Sequence, residues 1–304
     1  TTRFEADEPR FLSGVSGGKT TGAPIAFIVE NRSYDPSAYR NLEGVYRPGH
    51  GDYAWHQKFG HFDHRGGGRY SARETVARVI AGSVARQFIG ISGIEVQAWV
   101  SSIGKTTLSG YGSYESEAIE SSVLRCPDKE ASELMMQEIE RARSAGDTLG
   151  GVISASVTGM VPGLGEPIFD KLEAELGKAM MSIPAVKGFE IGEGFQAARM
   201  TGSEHNDTFR KTMDNVIIDP ANHSGGMLGG ISTGSPVHFR VAFKPVSSIK
   251  QKQQSVTHAG EPATVDLSQG RHDVCVVPRA VVIVEAMTAI VLADMLLRNR
   301  CAKL

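Results

Sequence analysis

The stretch from Ala280 to Leu297 constrains the fold more than any other part of this chain of 304 residues. It is apolar almost throughout, and Glu285 and Asp294 are the charged residues that interrupt it. Carboxylates inside an apolar helix are typical of a protein core rather than of a membrane span. Pro278 stands where such a helix would begin. We therefore predict a buried core helix, which other elements must cover on all sides, and no membrane partner.

The remaining periodic segments include both strands and helices, without a strict alternation between them. Strand patterns occur at residues 25–29, 152–157 and 237–243, and the last of these alternates apolar residues as a half-buried strand does. Apolar stripes with helical spacing occur at residues 71–88, 129–145 and 168–181. This mixture favours an α+β fold, in which helices cover antiparallel sheets, over a doubly wound parallel sheet.

Composition and charge exclude several classes of function. Hydrophobic residues make up 40% and charged residues 22%, as in an ordinary globular protein, and the net charge of -2 argues against a general nucleic-acid binder. No glycine fingerprint of a dinucleotide-binding fold or of a P-loop occurs. The three cysteines include no Cys-x-x-Cys pair, which indicates reduced thiols and a cytoplasmic protein.

A cluster of basic and glycine residues indicates an anion site. Arg-Pro-Gly-His at 47–50 is followed at 65–75 by Arg-Gly-Gly-Gly-Arg-Tyr-Ser-Ala-Arg-Glu-Thr. Ser71 and Glu74 match a capping box, which predicts a helix start near Ser71 whose backbone donors face the same place as Arg69 and Arg73. A solvated basic loop is the plain alternative. An RNA-binding module is disfavoured, because aromatic residues are not interleaved with the arginines.

Four later segments are rich in polar residues or glycine. Residues 202–207 are polar and show no helical or strand periodicity. Residues 222–234 contain two Gly-Gly pairs, which suit either close approach to a ligand or a plain flexible loop. Residues 244–248 place a lysine and two serines after a strand, which suits a cofactor phosphate. Residues 270–275 offer an anion contact and a proton-transfer pair, or form an ordinary charged loop.

Taken in order, these motifs strongly resemble the chorismate synthase family. The resemblance rests on Arg-Pro-Gly-His-x-Asp-Tyr, the arginine-glycine motif and Gly-Arg-His-Asp-x-Cys, and on further matches at 163–167, 183–188 and 190–192. It runs from near Thr1 to about Leu297. It implies a single domain over residues 1–304, folded as a β-α-β sandwich with antiparallel sheets and covering helices, and a homotetramer.

The resemblance also implies an activity. Members of the family are carbon–oxygen lyases that convert 5-enolpyruvylshikimate 3-phosphate to chorismate and phosphate, the last common step of the shikimate pathway. The reaction is a 1,4-elimination that needs reduced flavin mononucleotide (FMN) without net redox change. Some members reduce the flavin with NADPH, and others depend on an external reductant; the sequence leaves both open.

Roles are carried over from the family by motif position. His50 would protonate or stabilise the reduced flavin, and Asp273 would assist proton removal through it. The arginines that would hold substrate anions are Arg47, Arg73 and Arg271. The residues that would contact the flavin and its phosphate are Arg69, Tyr70, Ser71, Ala72, His205, Asn206, Gly229, Lys244, Pro245, Val246, Ser247, Ser248 and Arg271.

The chain departs from the family pattern in three respects. The family's first block, Gly-Glu-Ser-His-Gly with its following arginines, is absent, so we expect either a truncated chain or an alternative function as a non-catalytic FMN-binding scaffold. Tyr70 and Val274 replace the usual Ser and Pro. The group His56, His61 and His64 is not a family feature; we predict no metal there and a solvated loop.

Overall fold

The computed structural model describes residues 7–32, 42–65, 68–108, 112, 114–211, 216–218, 221–268, 270 and 272–302. The chain divides into two compact units. Unit 1 contains Thr1–Gly68 and Lys252–His272, and unit 2 contains Arg69–Gln251 and Asp273–Leu304. The expectation of a single domain over residues 1–304 stays a prediction.

Helices and short strands alternate irregularly along the described residues. The helices are α1 (Asp52–Phe59), α2 (Thr75–Gly90), α3 (Ser116–Glu120), α4 (Lys129–Ser144), α5 (Leu172–Met181), α6 (Gly202–His205) and α7 (Val277–Asn299). The strands are β1 (Arg10–Ser13), β2 (Val15–Ser16), β3 (Lys19–Thr20), β4 (Ala26–Ile28), β5 (Glu95–Ile103), β6 (Thr106–Thr107), β7 (Gly151–Thr158), β8 (Val186–Ile191), β9 (Phe209–Lys211), β10 (Val216–Ile218), β11 (Met227–Leu228), β12 (Ile231–Ser232), β13 (Val237–Phe243), β14 (Gln253–Val256) and β15 (Pro262–Val265).

Unit 2 is built on a five-stranded sheet with the order β6-β5-β7-β13-β8. All of its neighbouring strands run antiparallel. Along β13, buried apolar residues alternate with half-buried ones, so the strand predicted at 237–243 is confirmed. The strand predicted at 152–157 is also confirmed, as the interior of β7.

The apolar helix α7 lies in the core of unit 2. Eleven of its 23 residues are buried, and it packs on α2, α5, β5 and β7. Its length and hydropathy would suffice for a membrane span, but more than half of its most apolar window, 56%, is buried in the protein. Glu285 accepts the backbone N–H of Ala98 at 3.0 Å, which explains a carboxylate in this helix. The predicted core helix is therefore confirmed.

Helix α2 lies directly against α7. A Cβ atom added to Gly82 would come within 2.3 Å of the Ala286 Cβ, so glycine permits this close approach. The helix predicted at 71–88 is confirmed, although its first turn, Ala72–Glu74, is a 3-10 helix.

Two other helix predictions have different outcomes. The helix predicted at 129–145 is confirmed as α4. The helix predicted at 168–181 begins four residues late, at Leu172. Ile168 and Phe169 fit the apolar stripe but are 72% and 88% exposed. They lie in a turn closed by a hydrogen bond from Glu166 N–H to the Asp170 carbonyl at 3.0 Å.

Unit 1 consists of strand pairs and the helix α1. The pairs are β1 with β4, β2 with β3, and β14 with β15, and all are antiparallel. Val45 bridges to Thr257 and packs beside a small core of Leu42, Val265 and Leu267. The strand predicted at 25–29 is confirmed as β4. Both units mix helices with antiparallel strands, so the α+β class is confirmed.

Candidate functional site

The turn at residues 47–50 begins the part of the candidate site that lies in unit 1. The His50 N–H donates to the Arg47 carbonyl at 3.2 Å, and Gly49 has a φ of 68°. Proline followed by a residue with positive φ is the signature of a type II turn, and glycine adopts that φ without strain. The turn brings the side chains of Arg47 and His50 to the first residue of α1.

That residue, Asp52, binds both side chains. Its Oδ2 accepts from Arg47 Nε at 2.7 Å, and its Oδ1 accepts from Arg47 Nη2 at 2.7 Å and lies 2.8 Å from His50 Nδ1. Only 1% of Asp52 and 9% of Arg47 are exposed. Burial alone would raise the pKa of Asp52, but hydrogen bonds from Arg47 and His50 outweigh it and hold this pKa well below its usual range.

Asp52 is not among the functional residues that the sequence predicted. The signal was available, because Asp52 is the acidic residue of the Arg-Pro-Gly-His-x-Asp motif. An aspartate two residues after a histidine, beside a Pro-Gly pair, is close enough to bind that histidine. Its burial, which decides how strong the contact is, comes from the packing of unit 1.

The prediction of a solvated loop is wrong for His56, because His56 lies in α1. The Tyr46 hydroxyl lies 2.5 Å from His56 Nδ1, and the rings of His56 and His258 are 4.6 Å apart. Burial lowers the pKa of His258, and the charge of His56 lowers it further. Among the described residues, no group of three His, Cys, Asp or Glu side chains could hold a metal ion. The absence of a metal stays a prediction.

In unit 2, the start of α2 carries the arginine-glycine motif. The Ser71 Oγ accepts from the Arg73 N–H at 3.4 Å, so the predicted helix start near Ser71 is confirmed. The predicted capping box is wrong, because the Glu74 carboxylate pairs with Arg78 at 2.9 Å instead of returning to Ser71. Arg69 and Arg73 are both exposed.

Residues 202–207 are ordered, which the sequence analysis did not predict. They form α6 and its C-terminal end, and α6 begins with a capping box. The Asp207 carboxylate accepts the N–H groups of His223 at 2.7 Å and Ser224 at 2.9 Å. The rings of His205 and His223 are 6.0 Å apart. Asp207 therefore joins the first two of the polar segments that the sequence singled out.

Gly229 and Gly230 form the two-residue turn between β11 and β12. Both have positive φ, 61° and 91°, as a type I′ hairpin turn requires. The flexible-loop alternative is therefore wrong for this pair. A Cβ on Gly230 would lie 2.5 Å from the Lys171 side chain, whereas no described atom lies within 4 Å of a Cβ on Gly229. Gly229 thus borders open space.

Residues 244–248 follow β13 and are held by two hydrogen bonds. The Lys244 N–H donates to the Ala185 carbonyl at 2.9 Å, and the Thr148 hydroxyl donates to the Val246 carbonyl at 2.6 Å. Burial lowers the pKa of the Lys244 ammonium, and the charge of Lys187 lowers it further. A second positive charge close to a half-buried lysine favours binding of an anion here.

The Gly-Arg-His-Asp-x-Cys motif lies at the passage from unit 1 to unit 2. The carboxylate of Asp273 lies 3.4 Å from Arg279 Nη1 and is mostly shielded from solvent. Burial raises the pKa of the Cys275 thiol to about 11. The predicted substrate and cofactor residue Arg271 lies outside the described residues.

The predicted site residues are therefore distributed over both units. Unit 1 brings Arg47 and His50 together through Asp52. Unit 2 contains Asp273 and the remaining predicted residues that the structure describes, namely Arg69, Tyr70, Ser71, Ala72, Arg73, His205, Asn206, Gly229, Lys244, Pro245, Val246, Ser247 and Ser248. Their roles toward substrate and cofactor stay predictions.

Comparison with known proteins identifies the family. The model of the family described as chorismate synthase matches residues 1–297. Chorismate synthase of Roseiflexus castenholzii is 49% identical over 302 residues, which cover 99% of this chain and 83% of that protein. Chorismate synthase of Cytophaga hutchinsonii is 48% identical over 305 residues, which cover 100% of this chain and 84% of that protein.

A solved structure agrees with this assignment. A crystal structure of a chorismate synthase is similar to this chain with a TM-score of 0.77 and 34% sequence identity, over 96% of this chain and 78% of that one. This likeness confirms the chorismate synthase-like α+β fold that the motifs predicted. The chain belongs to the chorismate synthase family of lyases.

Proposed function

We propose that this protein eliminates phosphate from 5-enolpyruvylshikimate 3-phosphate to give chorismate, with reduced FMN as its cofactor. The bond between a ring carbon and the phosphate oxygen breaks, a ring C–H bond breaks, and a second ring double bond forms. Phosphate and a proton leave, so the substrate is neither oxidised nor reduced. The observation that carries the proposal is the buried arrangement of Arg47 and His50 on Asp52, inside a motif that the family shares.

Arg47 and His50 suit an anionic substrate. Two nitrogens of Arg47, Nε and Nη2, are bonded to Asp52, so Nη1 is the nitrogen that we assign to a substrate anion. The burial of Arg47 strengthens such a contact, because little water screens it. In neutral His50, a proton on Nδ1 leaves the lone pair on Nε2, which we assign to proton exchange in the site.

The residues of unit 2 fit FMN. When bound in reduced form, FMN supplies electron density to the double bond of the substrate. The half-buried Lys244, close to the charge of Lys187, suits a phosphate. The open space at Gly229 suits close approach of a ligand to the backbone. We assign the other predicted contacts, at residues 69–72, 205–206 and 245–248, to the same cofactor.

Two further roles complete the proposal. Asp273 assists removal of the ring proton, and the ion pair with Arg279 at 3.4 Å holds its carboxylate in place. We assign Arg73 and Arg271, like Arg47, to the binding of substrate anions. We also propose that the protein acts in the cytoplasm as a homotetramer. Two sources of reduced FMN stay open, namely NADPH acting on the protein's own flavin and an external reductant.

An anaerobic assay tests the function. The protein is mixed with chemically reduced FMN and 5-enolpyruvylshikimate 3-phosphate, and chorismate is followed by its absorbance. Chorismate formation supports the proposal. Binding of FMN without chorismate, both for this chain and for one extended upstream by a Gly-Glu-Ser-His-Gly block, would instead support the non-catalytic scaffold.

A further inference from the structure

We propose that Asp52 is a positioning residue that fixes the ring of His50 and the guanidinium of Arg47 in one arrangement and sets the tautomer of His50. The inference rests on the proposed function for its catalytic consequence. Its structural part, which nitrogen of His50 carries the proton, can be tested without turnover.

Each carboxylate oxygen of Asp52 makes two polar contacts. Oδ2 accepts from Arg47 Nε at 2.7 Å and from the Arg47 backbone N–H at 3.3 Å. Oδ1 accepts from Arg47 Nη2 at 2.7 Å and lies 2.8 Å from His50 Nδ1. An ionised carboxylate only accepts hydrogen bonds, so Nδ1 of His50 must be the donor. The proton of the neutral ring is therefore on Nδ1.

The arrangement is encoded locally. The type II turn places Arg47 and His50 on the same side of the chain, and Asp52 follows at the start of α1. A carboxylate is stabilised at the N-terminus of a helix by the aligned backbone dipoles, which supports the ionised form of Asp52 in a buried place. The six residues from Arg47 to Asp52 thus fix the relative positions of the Asp52 carboxylate, the His50 imidazole and the Arg47 guanidinium.

The position of Asp52 has two consequences for the site. The bond to Nδ1 fixes the orientation of the His50 ring and makes Nε2 the nitrogen of the neutral ring that can accept a proton. The same carboxylate holds two nitrogens of Arg47, so a change at Asp52 should also weaken the binding of a substrate anion by Arg47.

The first test is the tautomer of His50, read from long-range ¹H–¹⁵N correlation spectra of the labelled protein. The His50 signals are assigned by their loss in His50→Gln. We expect the Nδ1–H tautomer in the wild type and a mixture or the Nε2–H tautomer in Asp52→Asn. Asp63→Asn is the matched control, because Asp63 also binds an arginine, Arg65, but is exposed. An Nε2–H tautomer in the wild type would overturn the proposal, even if Asp52→Asn failed to fold.

The second test is the split of turnover into kcat and KM. In Asp52→Asn, KM for the substrate should rise several-fold, because Arg47 loses the carboxylate that holds two of its nitrogens. Asp52→Glu should lower KM again in part, and Asp63→Asn should leave KM unchanged. An unchanged KM with reduced kcat alone would leave Asp52 without a role in positioning Arg47 and refute the inference. Absence of turnover both in this chain and in the chain extended upstream would refute the proposed function, while the tautomer would still test Asp52.

Discussion

The contact between α2 and α7 predicts that Gly82→Ala is destabilising, although alanine is the better helix former. An added Cβ would lie 2.3 Å from the Cβ, 2.4 Å from the Cα and 2.8 Å from the carbonyl oxygen of Ala286. Two of these are backbone atoms of a buried helix, so the two helices must separate. Overpacking of this kind costs about 1–3 kcal/mol. Alanine returns about 1 kcal/mol through helix propensity. We expect the free energy of unfolding to fall by about 2 kcal/mol. The overpacking cost should be near the upper end of its range, because the overlapping atoms cannot rotate away.

Urea unfolding followed by circular dichroism measures this effect. Gly90→Ala is the matched control, since Gly90 ends the same helix and no described atom lies within 4 Å of an added Cβ. It should be neutral or stabilise by up to about 1 kcal/mol. The double variant, Gly82→Ala with Ala286→Gly, removes the Cβ of Ala286 from the contact. It should therefore lose less free energy of unfolding than the sum of the losses of the two single variants. Equal or higher stability of Gly82→Ala would refute the close contact.

Three further predictions follow from single side chains. Asp273→Asn should abolish most chorismate formation without a shift in the unfolding midpoint, whereas the exposed Asp294→Asn should be active; equal turnover would contradict the role of Asp273. Because the pKa of Asp52 is depressed in the folded state, its stabilisation is complete above the ordinary value of 3.8 and is lost as the pH falls toward the folded value. The stability gap between wild type and Asp52→Asn in urea unfolding should therefore narrow between pH 6 and pH 3, and a constant gap would disprove this linkage. Iodoacetamide at pH 8 should label the exposed Cys301 before Cys275. The pKa of Cys275 is about 11, so roughly one Cys275 thiol in a thousand is the reactive thiolate at this pH. Peptide mass spectrometry measures both labelling rates, and equal rates would contradict this prediction.

The sequence predicts those elements whose pattern is set by neighbours along the chain. The strand β13 and the helices α2 and α4 have a regular apolar period, α7 is apolar almost throughout, and both patterns survive in the fold. The start of α5 could not be predicted, because Ile168 and Phe169 continue the apolar stripe while the backbone turns. The strand order of the central sheet depends on pairings between distant segments, and no local pattern encodes it.

The candidate site shows the same division. The motifs predict roles for Arg47, His50 and Asp273, because the residue types and their order are specific. They did not identify Asp52, whose importance depends on burial, or the hydrogen bonds of Asp207, which join segments far apart in sequence. The sequence left both a ligand contact and a flexible loop open for the Gly-Gly pair at 229–230, because the flanking strands of this two-residue hairpin are short and lack a strong apolar alternation.

The bonds from Asp207 to the adjacent N–H groups of His223 and Ser224 have a consequence for the chain between them. The segment that begins after Asp207 comes back to the Asp207 carboxylate at His223, so its two ends are held close together whatever its length. Doubling the length of such a closed loop costs only about 0.6 kcal/mol in chain entropy. Inserted residues there would lengthen the segment without moving His205 or Asn206. The bonds from Asp207 therefore make this segment a suitable place for a fluorescent label that reports on a ligand bound nearby.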